Sequence, residues 1–255
     1  MKAAWYENQG PAKEVFVVGE IPDPQPEQGE VRIRISASGI NPGDIKKRQD
    51  TFGSEMPFPR VIPHSDGAGI IDRVGGSVPG SRAGEQVWCF GAQSYRPFGT
   101  AAAYTVVPSG NAVPLSAKLS FEQGACLGIP GITAHRAVHI GGTVEGRTVL
   151  VQGGAGTVGL CAVGLARHAS AHVIATVRSE HAEWVVKQGG AHEIVRTDGI
   201  SDDEVVERLR SLAPRGMDHI VEVAFHANIT TDEKVLAQAF RRDIALPDVG
   251  PLRFG

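Results

Sequence analysis

Apolar positions in the first third of the chain gather in short runs, one of which alternates with a period of two. Residues 3–6, 15–18, 31–37, 69–74, 86–90 and 103–107 are short β-prone runs. In 31–37, Val31, Ile33 and Ile35 alternate with Arg32, Arg34 and Ser36, the pattern of a strand with one buried face. Pro22, Pro24 and Pro26 interrupt the chain between two of these runs. A proline has no amide to give a ladder, so this stretch is predicted to be a surface connection. Glycine and proline turns separate the other runs, and the whole predicts a β-barrel or sandwich.

The pattern changes near Leu119. Ser120 can cap a helix with Gln123 in the capping-box position, and residues 132–140 read as a second helix. Beyond them, strands at 148–151, 172–177, 192–195 and 217–223 alternate with helices at 158–169, 180–188 and 202–212. Helices inserted between short apolar strands imply parallel pairing with right-handed crossovers, a doubly wound α/β layer. The expected organisation is a β-rich domain over 1–118 followed by an α/β domain over 119–255.

Composition narrows the class without naming a function. Of 255 residues, 42% are hydrophobic and 21% charged, with 28 acids against 25 bases, which fits a soluble globular protein. That balance gives no general attraction to polyanions, so nucleic-acid binding is not expected. No stretch approaches the ~20 apolar residues that cross a bilayer, and the opening Met1 to Gly10 has no apolar leader core. Membrane insertion is therefore not expected. Cys89, Cys126 and Cys161 lie far apart without C-x-x-C spacing. They read as reduced thiols acting as small buried hydrophobes, in keeping with a cytoplasmic location.

The most informative chemistry lies where the first parallel strand ends. Gly154, Gly156 and Gly159 form G-x-G-x-x-G after a predicted strand and at the mouth of a predicted helix, the context of a dinucleotide site. The first glycine is expected to make the turn, the second to let a pyrophosphate approach the backbone, and the third to allow close helix packing. Gly153, Gly154, Ala155, Gly156, Thr157, Val158 and Gly159 are the candidate phosphate-binding residues. The next strand ends in Val177-Arg178-Ser179, without the acid that usually holds the ribose of NAD. Arg178 can pair with a 2′-phosphate and Ser179 can donate to it, so NADP(H) is preferred. The competing reading makes Arg178 a solvated arginine and Glu180 the ribose acceptor.

Larger blocks carry a family resemblance. Gly39-Ile40-Asn41-Pro42-Gly43-Asp44, Val61-Ile62-Pro63-His64-Ser65-Asp66-Gly67, Gly84-Glu85-Gln86-Val87-Trp88 and Gly128-Ile129-Pro130-Gly131-Ile132-Thr133-Ala134 keep order and spacing from residue 1 to about residue 237. In these the sequence resembles the medium-chain dehydrogenase/reductase superfamily, most closely its zinc-independent quinone oxidoreductase branch, which includes zeta-crystallin. The resemblance implies a partly opened GroES-like β domain beside a Rossmann domain, with the nicotinamide in the cleft between them. Zinc-dependent members carry a catalytic cysteine where this chain has Ile40, and a histidine where it has Ser65, so no metal site is expected, and His64 and Asp66 are expected to serve a conformational or hydrogen-bonding role rather than adventitious metal binding. The resemblance also places Asn41 near the active cleft and Thr133 toward the nicotinamide, as candidate catalytic residues. An Asn-Pro turn and a helix threonine bonding its own backbone are the plainer alternatives. Some relatives have a substrate-linked tyrosine where this chain has Lys46. Tyr95, Trp88 and Phe98 are equally readable as an aromatic substrate wall or as packing residues.

Family members usually exceed 300 residues, and residues 238–255 do not follow the expected continuation. The Rossmann domain is therefore expected to be shortened. The functional expectation is NADPH-dependent, metal-independent reduction of quinones by a homodimer. An enone or aldehyde reductase, or a catalytically impaired cofactor-binding or structural protein, is the alternative.

Overall fold

The computed structural model describes residues 1–51, 53 and 55–237. The chain divides into two compact units, Met1–Ile132 and Thr133–Gly255.

The first unit contains β1 (Lys2–Trp5), α1 (Ala12–Val15), β2 (Val17–Glu20), β3 (Glu30–Gly39), α2 (Pro42–Arg48), β4 (Asp66–Val74), β5 (Gln86–Cys89), β6 (Tyr104–Pro108), β7 (Ala112–Pro114) and α3 (Phe121–Ala125), and it ends within α4 (Gly128–His139). A five-stranded sheet runs β6-β3-β4-β5-β7, every pair antiparallel, while β1 and β2 form a separate pair. Val31, Ile33, Ile71, Val87, Cys89 and Val107 form the core on one face of the sheet, as the alternation in β3 predicts. Its register against β4 shifts between Arg32 and Ile33 and again between Ile35 and Ala37, irregularities that bend the strand. Arg32 departs from the simple alternation. It is buried, with Nε and Nη2 donating to Asp72 at 3.0 and 2.6 Å, a bidentate pair that compensates its desolvation.

Two local readings change. The run expected as a strand over 15–18 is instead the end of α1 followed by β2, because Pro11 suits a helix entry, where its missing amide costs nothing. The segment after Asn41, read as a possible turn, is helix α2. Pro42 begins it, and the Asp44 carboxylate accepts the Asn41 amide at 2.8 Å. Helix α3 starts as expected: Ser120 Oγ accepts the Gln123 amide at 3.3 Å, and Gln123 Oε1 accepts the Ser120 amide at 2.9 Å. It packs on β3, β4 and β5 and lies within the first unit, although the sequence pattern groups it with the second.

The second unit continues with β8 (Thr148–Val151), α5 (Thr157–His168), β9 (His172–Val177), α6 (Glu180–Gln188), β10 (Glu193–Arg196), α7 (Asp202–Leu212), β11 (His219–Val221) and α8 (Phe225–Val235). Its strands run β10-β9-β8-β11, all parallel. In β8, Val149 and Val151 face a layer with residues of α5 and α6, while Leu150 faces a layer with Val205, Val206 and Leu209 of α7. Successive side chains thus point to helices on opposite faces, the expected doubly wound arrangement. The order reverses between β8 and β11, and such a switch point is where open α/β sheets bind ligands, beyond the carboxyl ends of their strands. Residues 238–255, read above as departing from the family's continuation, lie outside the described residues. No helix among the described residues is long and apolar enough to cross a membrane.

Candidate functional site

At the carboxyl end of β8 the chain turns through Gly153, whose φ of +64° is left-handed and favours a residue without a Cβ. The turn therefore belongs to Gly153, one residue before the glycine to which the motif assigns it. Gly154 serves packing instead. A methyl group there would stand 2.9 Å from the Ala175 Cβ of β9. At Gly159 a methyl group would stand 2.3 Å from the Gly153 carbonyl oxygen, so α5 can close on the loop only with glycine there. Gly156 is the exposed N-cap of α5, and no side chain caps that helix. By contrast, Ser179 caps α6 and Ser201 caps α7. The first amides of α5, at Thr157, Val158 and Gly159, follow this uncapped turn, where a helix concentrates positive potential. Ala155 is half-buried and packs on the α5 side of the sheet.

A buried polar chain fixes this loop from beneath. The Gly153 amide donates to Thr176 Oγ1 at 2.9 Å, Thr176 Oγ1 donates to Gln152 Oε1 at 2.7 Å, and Gln152 Nε2 donates to Asp232 Oδ1 at 2.7 Å. Burial pushes the Asp232 carboxyl up to about 6, against the opposing pull of the Gln152 bond. The sequence reading missed Gln152, Thr176 and Asp232. The available signal was a glutamine just after one apolar strand and a threonine inside the next, residues that are buried only when paired.

Arg178 and Ser179 are exposed just beyond β9, at the same end of the sheet as Gly153. Ser179 Oγ accepts the Ala182 amide at 3.2 Å, which leaves its hydroxyl proton free to donate.

In the first unit, Asn41 is buried at the start of α2. Its Nδ2 donates to Asp66 Oδ2 at 2.8 Å, and the same oxygen accepts the Ile129 amide at 2.8 Å. Asp66 Oδ1 is buried without a partner, and a methyl group at Gly128 would stand 2.1 Å from it. Burial pushes the Asp66 carboxyl up to about 6, with the bonds from Asn41 and Ile129 acting the other way and Asp44 adding to the rise. Asp44 is raised as well, chiefly by burial.

Beside it, Ser38 Oγ lies 2.8 Å from both His64 Nδ1 and Thr100 Oγ1, and Thr100 Oγ1 donates to the Asp66 carbonyl at 2.6 Å. The Thr100 proton is thereby used, so Ser38 donates to Thr100, and His64 Nδ1–H donates to Ser38. His64 thus keeps Nε2 as an acceptor, and burial lowers its proton affinity. Sequence reasoning singled out Asn41 and expected a hydrogen-bonding role for His64 and Asp66, but it missed the pairing of Asp66 with Asn41 and the Ser38–Thr100 link, which join residues distant in the chain.

These contacts also test the residues against a zinc ion. The position of the family's cysteine ligand holds Ile40, and Ser65 at the histidine position offers no imidazole. His64 Nδ1 and Asp66 Oδ2 are engaged by Ser38, Asn41 and Ile129. A zinc site needs three protein ligands and an open position, and these residues do not fit it.

Thr133 is exposed on α4 and belongs to the second unit, whereas Asn41 belongs to the first. The three aromatics do not form one wall. Tyr95 borders a recess of about 630 Å³ together with Tyr6, Lys47, Met56, Phe58 and Gln93. Trp88 packs on Phe90 with ring centroids 5.9 Å apart, and Phe98 pairs through its backbone with Ile62. The thiols are not uniformly buried either: Cys89 is buried, Cys161 is intermediate and Cys126 is exposed.

Comparison with known proteins agrees with this architecture. Residues 27–117 match the alcohol dehydrogenase GroES-like domain, and residues 157–239 match the zinc-binding dehydrogenase family. A quinone oxidoreductase of Rattus norvegicus is 34% identical over 216 residues, covering 84% of this chain and 63% of the rat protein. The chain thus spans less than two thirds of that relative. Among solved structures, an NAD-dependent alcohol dehydrogenase superposes with a TM-score of 0.84 at 27% identity, over 93% of this chain and 75% of that one. A mycobacterial protein complexed with NADPH gives 0.76 at 27% identity, over 93% and 70%. With its antiparallel first unit, its parallel second unit and the glycine loop at the switch point, the chain belongs to the medium-chain dehydrogenase/reductase superfamily, in the quinone oxidoreductase branch.

Proposed function

We propose that this chain is an NADPH-dependent oxidoreductase that reduces quinones without a metal. The observation that carries the reading is the loop from Gly153 to Gly159. It combines a left-handed turn, two positions closed to any side chain and an uncapped helix start, with Arg178 at the end of the neighbouring strand. These residues fit a dinucleotide: the α5 amides would hold the pyrophosphate, and Arg178 and Ser179 the 2′-phosphate. The NADPH-bound mycobacterial neighbour and the rat quinone oxidoreductase support cofactor and acceptor class respectively.

When bound, the nicotinamide would supply a hydride. The protein's part is orientation. Asp66 holds the Asn41 carboxamide by one amide hydrogen and the capping box of α2 engages its oxygen, leaving the second amide hydrogen to offer a carbonyl. The family resemblance assigns the Thr133 hydroxyl, in the second unit, to the nicotinamide side of the cofactor. A reduced quinone oxyanion is stable enough to take its proton from water, so a dedicated acid is not required. The reading includes a cytoplasmic homodimer, for which exposed Val223, Phe225 and Ile229 near β11 offer apolar surface.

The test is absorbance at 340 nm with NADPH or NADH and a panel of quinones and enones, on the parent chain and Arg178→Ala. Quinone-dependent NADPH loss, with KM for NADPH raised about tenfold in Arg178→Ala and NADH kinetics unchanged, is expected for loss of a charge-assisted contact of about 1.4 kcal/mol. Folded protein that turns over no acceptor would overturn the reductase reading.

A further inference from the structure

The far end of the parallel sheet has a chemistry of its own. Where β9 begins, opposite the glycine loop, an open recess of about 610 Å³ is bordered by Gly146, Arg167, His168, Ser170, His172 and His192. Strand β9 runs from His172 to Val177, just before Arg178, so the recess lies roughly 20 Å from Arg178 at about 3.3 Å per residue.

Its donors converge without an acceptor. The Val173 amide donates to His192 Nδ1 at 2.9 Å, which places the single proton of the neutral ring on Nε2. That Nε2 faces Arg167 Nη1, and an arginine has only donors to offer. Donor meets donor. The His172 ring lies beside the His192 ring, with centroids 4.7 Å apart and planes tilted by 33°. Among the described residues, no carboxylate forms an ion pair with Arg167. His192 has its proton affinity lowered by burial and by the charges of Arg167 and His172, with only Glu193 acting in the opposite sense.

We propose that this recess is a second anion site, in which Arg167 and His192, flanked by His168 and His172, bind a phosphate group. Arg167 Nη1 and His192 Nε2 stand in direct contact, and an oxyanion bridging them from the open side of the recess would accept from both and turn their opposition into two charge-assisted bonds. It would also draw a proton onto His192, so binding tightens as pH falls. The site does not depend on the proposed reductase activity and makes no contact with the residues assigned to it.

The test follows the imidazole proton resonances of His172 and His192 while inorganic phosphate is added to the full chain at pH 6.5, with sodium chloride at matched ionic strength as control. A saturable shift of both resonances is expected, with a midpoint at least threefold higher at pH 8. It should vanish in Arg167→Gln, persist weakly in Arg167→Lys and persist fully in Arg178→Ala. Repeating the titration with adenosine monophosphate identifies the source of the phosphate: tighter binding assigns a nucleotide, equal or weaker binding a free phosphate, and both support the site. The proposal is overturned if the two resonances do not saturate, if sodium chloride reproduces the shift, or if folded Arg167→Gln gives the parent curve. It is also overturned if the response disappears in Arg178→Ala and survives in Arg167→Gln, which would assign the phosphate to the dinucleotide loop.

Discussion

Asp66 holds Asn41 by a single carboxylate oxygen, Oδ2, which accepts the Asn41 side-chain amide and the Ile129 backbone amide at 2.8 Å each. The other oxygen has no partner and rests against Gly128. This unequal use of the carboxylate separates two substitutions. Asp66→Ala strands both donors and is expected to cost about 2–6 kcal/mol, at 1–3 kcal/mol for each buried unpaired group. Asp66→Asn keeps an acceptor for both and removes the buried charge, so its stability at pH 7 should equal or exceed that of the parent. Urea denaturation checks the order, and quinone turnover should fall far more in Asp66→Ala than in Asp66→Asn.

The same carboxyl carries a pH signature. Its folded-state value is raised from 3.8 to about 6, so the folded protein binds the proton more tightly than the unfolded chain. The associated stability is present in full below about pH 3.8 and is lost as pH rises through 6. The lowered proton affinity of His64 acts in the opposite direction, so the difference from Asp66→Asn is the clean observable. That difference should move by about 2–3 kcal/mol in favour of the variant between pH 4 and 7. Urea midpoints across this range measure it, and a constant difference would show that Asp66 titrates as in the unfolded chain.

Two glycines of one helix should respond with opposite signs. At Gly159 a methyl group meets the Gly153 carbonyl oxygen at 2.3 Å, whereas at Gly164 nothing lies within 4 Å. Gly159→Ala is expected to lose about 1–3 kcal/mol through overpacking and to abolish NADPH binding. Gly164→Ala should gain about 0.5–1 kcal/mol from helix propensity and leave binding intact. Thermal melts with and without NADPH distinguish these outcomes.

Thr176→Val removes the hydroxyl that joins the Gly153 amide to Gln152. It leaves a donor and an acceptor buried, at a cost of about 1–3 kcal/mol, and should weaken NADPH binding by loosening the turn. Thr176→Ser restores the hydroxyl, and its recovery of cofactor affinity would separate this role from that of the threonine methyl group.

What could be read from the sequence was whatever rests on short-range pattern. Strict alternation marked β3, Ser120 and Gln123 marked the start of α3, and strand-glycine-helix order marked the loop at Gly153 to Gly159. What could not be read depends on residues that meet only after folding. Asn41 was visible as an Asn-Pro dipeptide, but Asp66, 25 positions away, decides where its side chain points. Gln152 and Asp232 are 80 positions apart, and neither has a local periodicity that announces the other. Arg32 sat on the polar side of an alternating run, yet its pairing with Asp72 lets it be buried. The motif located the phosphate loop but displaced the turn by one residue, because glycine spacing carries no record of which φ is positive.

The burial of Cys89 gives the β-rich unit a built-in stopwatch. Its thiol is fully enclosed in β5, between β4 and β7, and pushed up to about 12 by burial. The reactive thiolate is thus almost absent at neutral pH. Cys126 stands exposed in the same unit. A thiol-specific dye should therefore label Cys126 at once and Cys89 only when the sheet opens. In a Cys126→Ser and Cys161→Ser background, the labelling rate of Cys89 counts openings of that sheet in the native protein, without denaturant. Bursts of label at Cys89 as fast as at Cys126 would mean that the strands around it part continually.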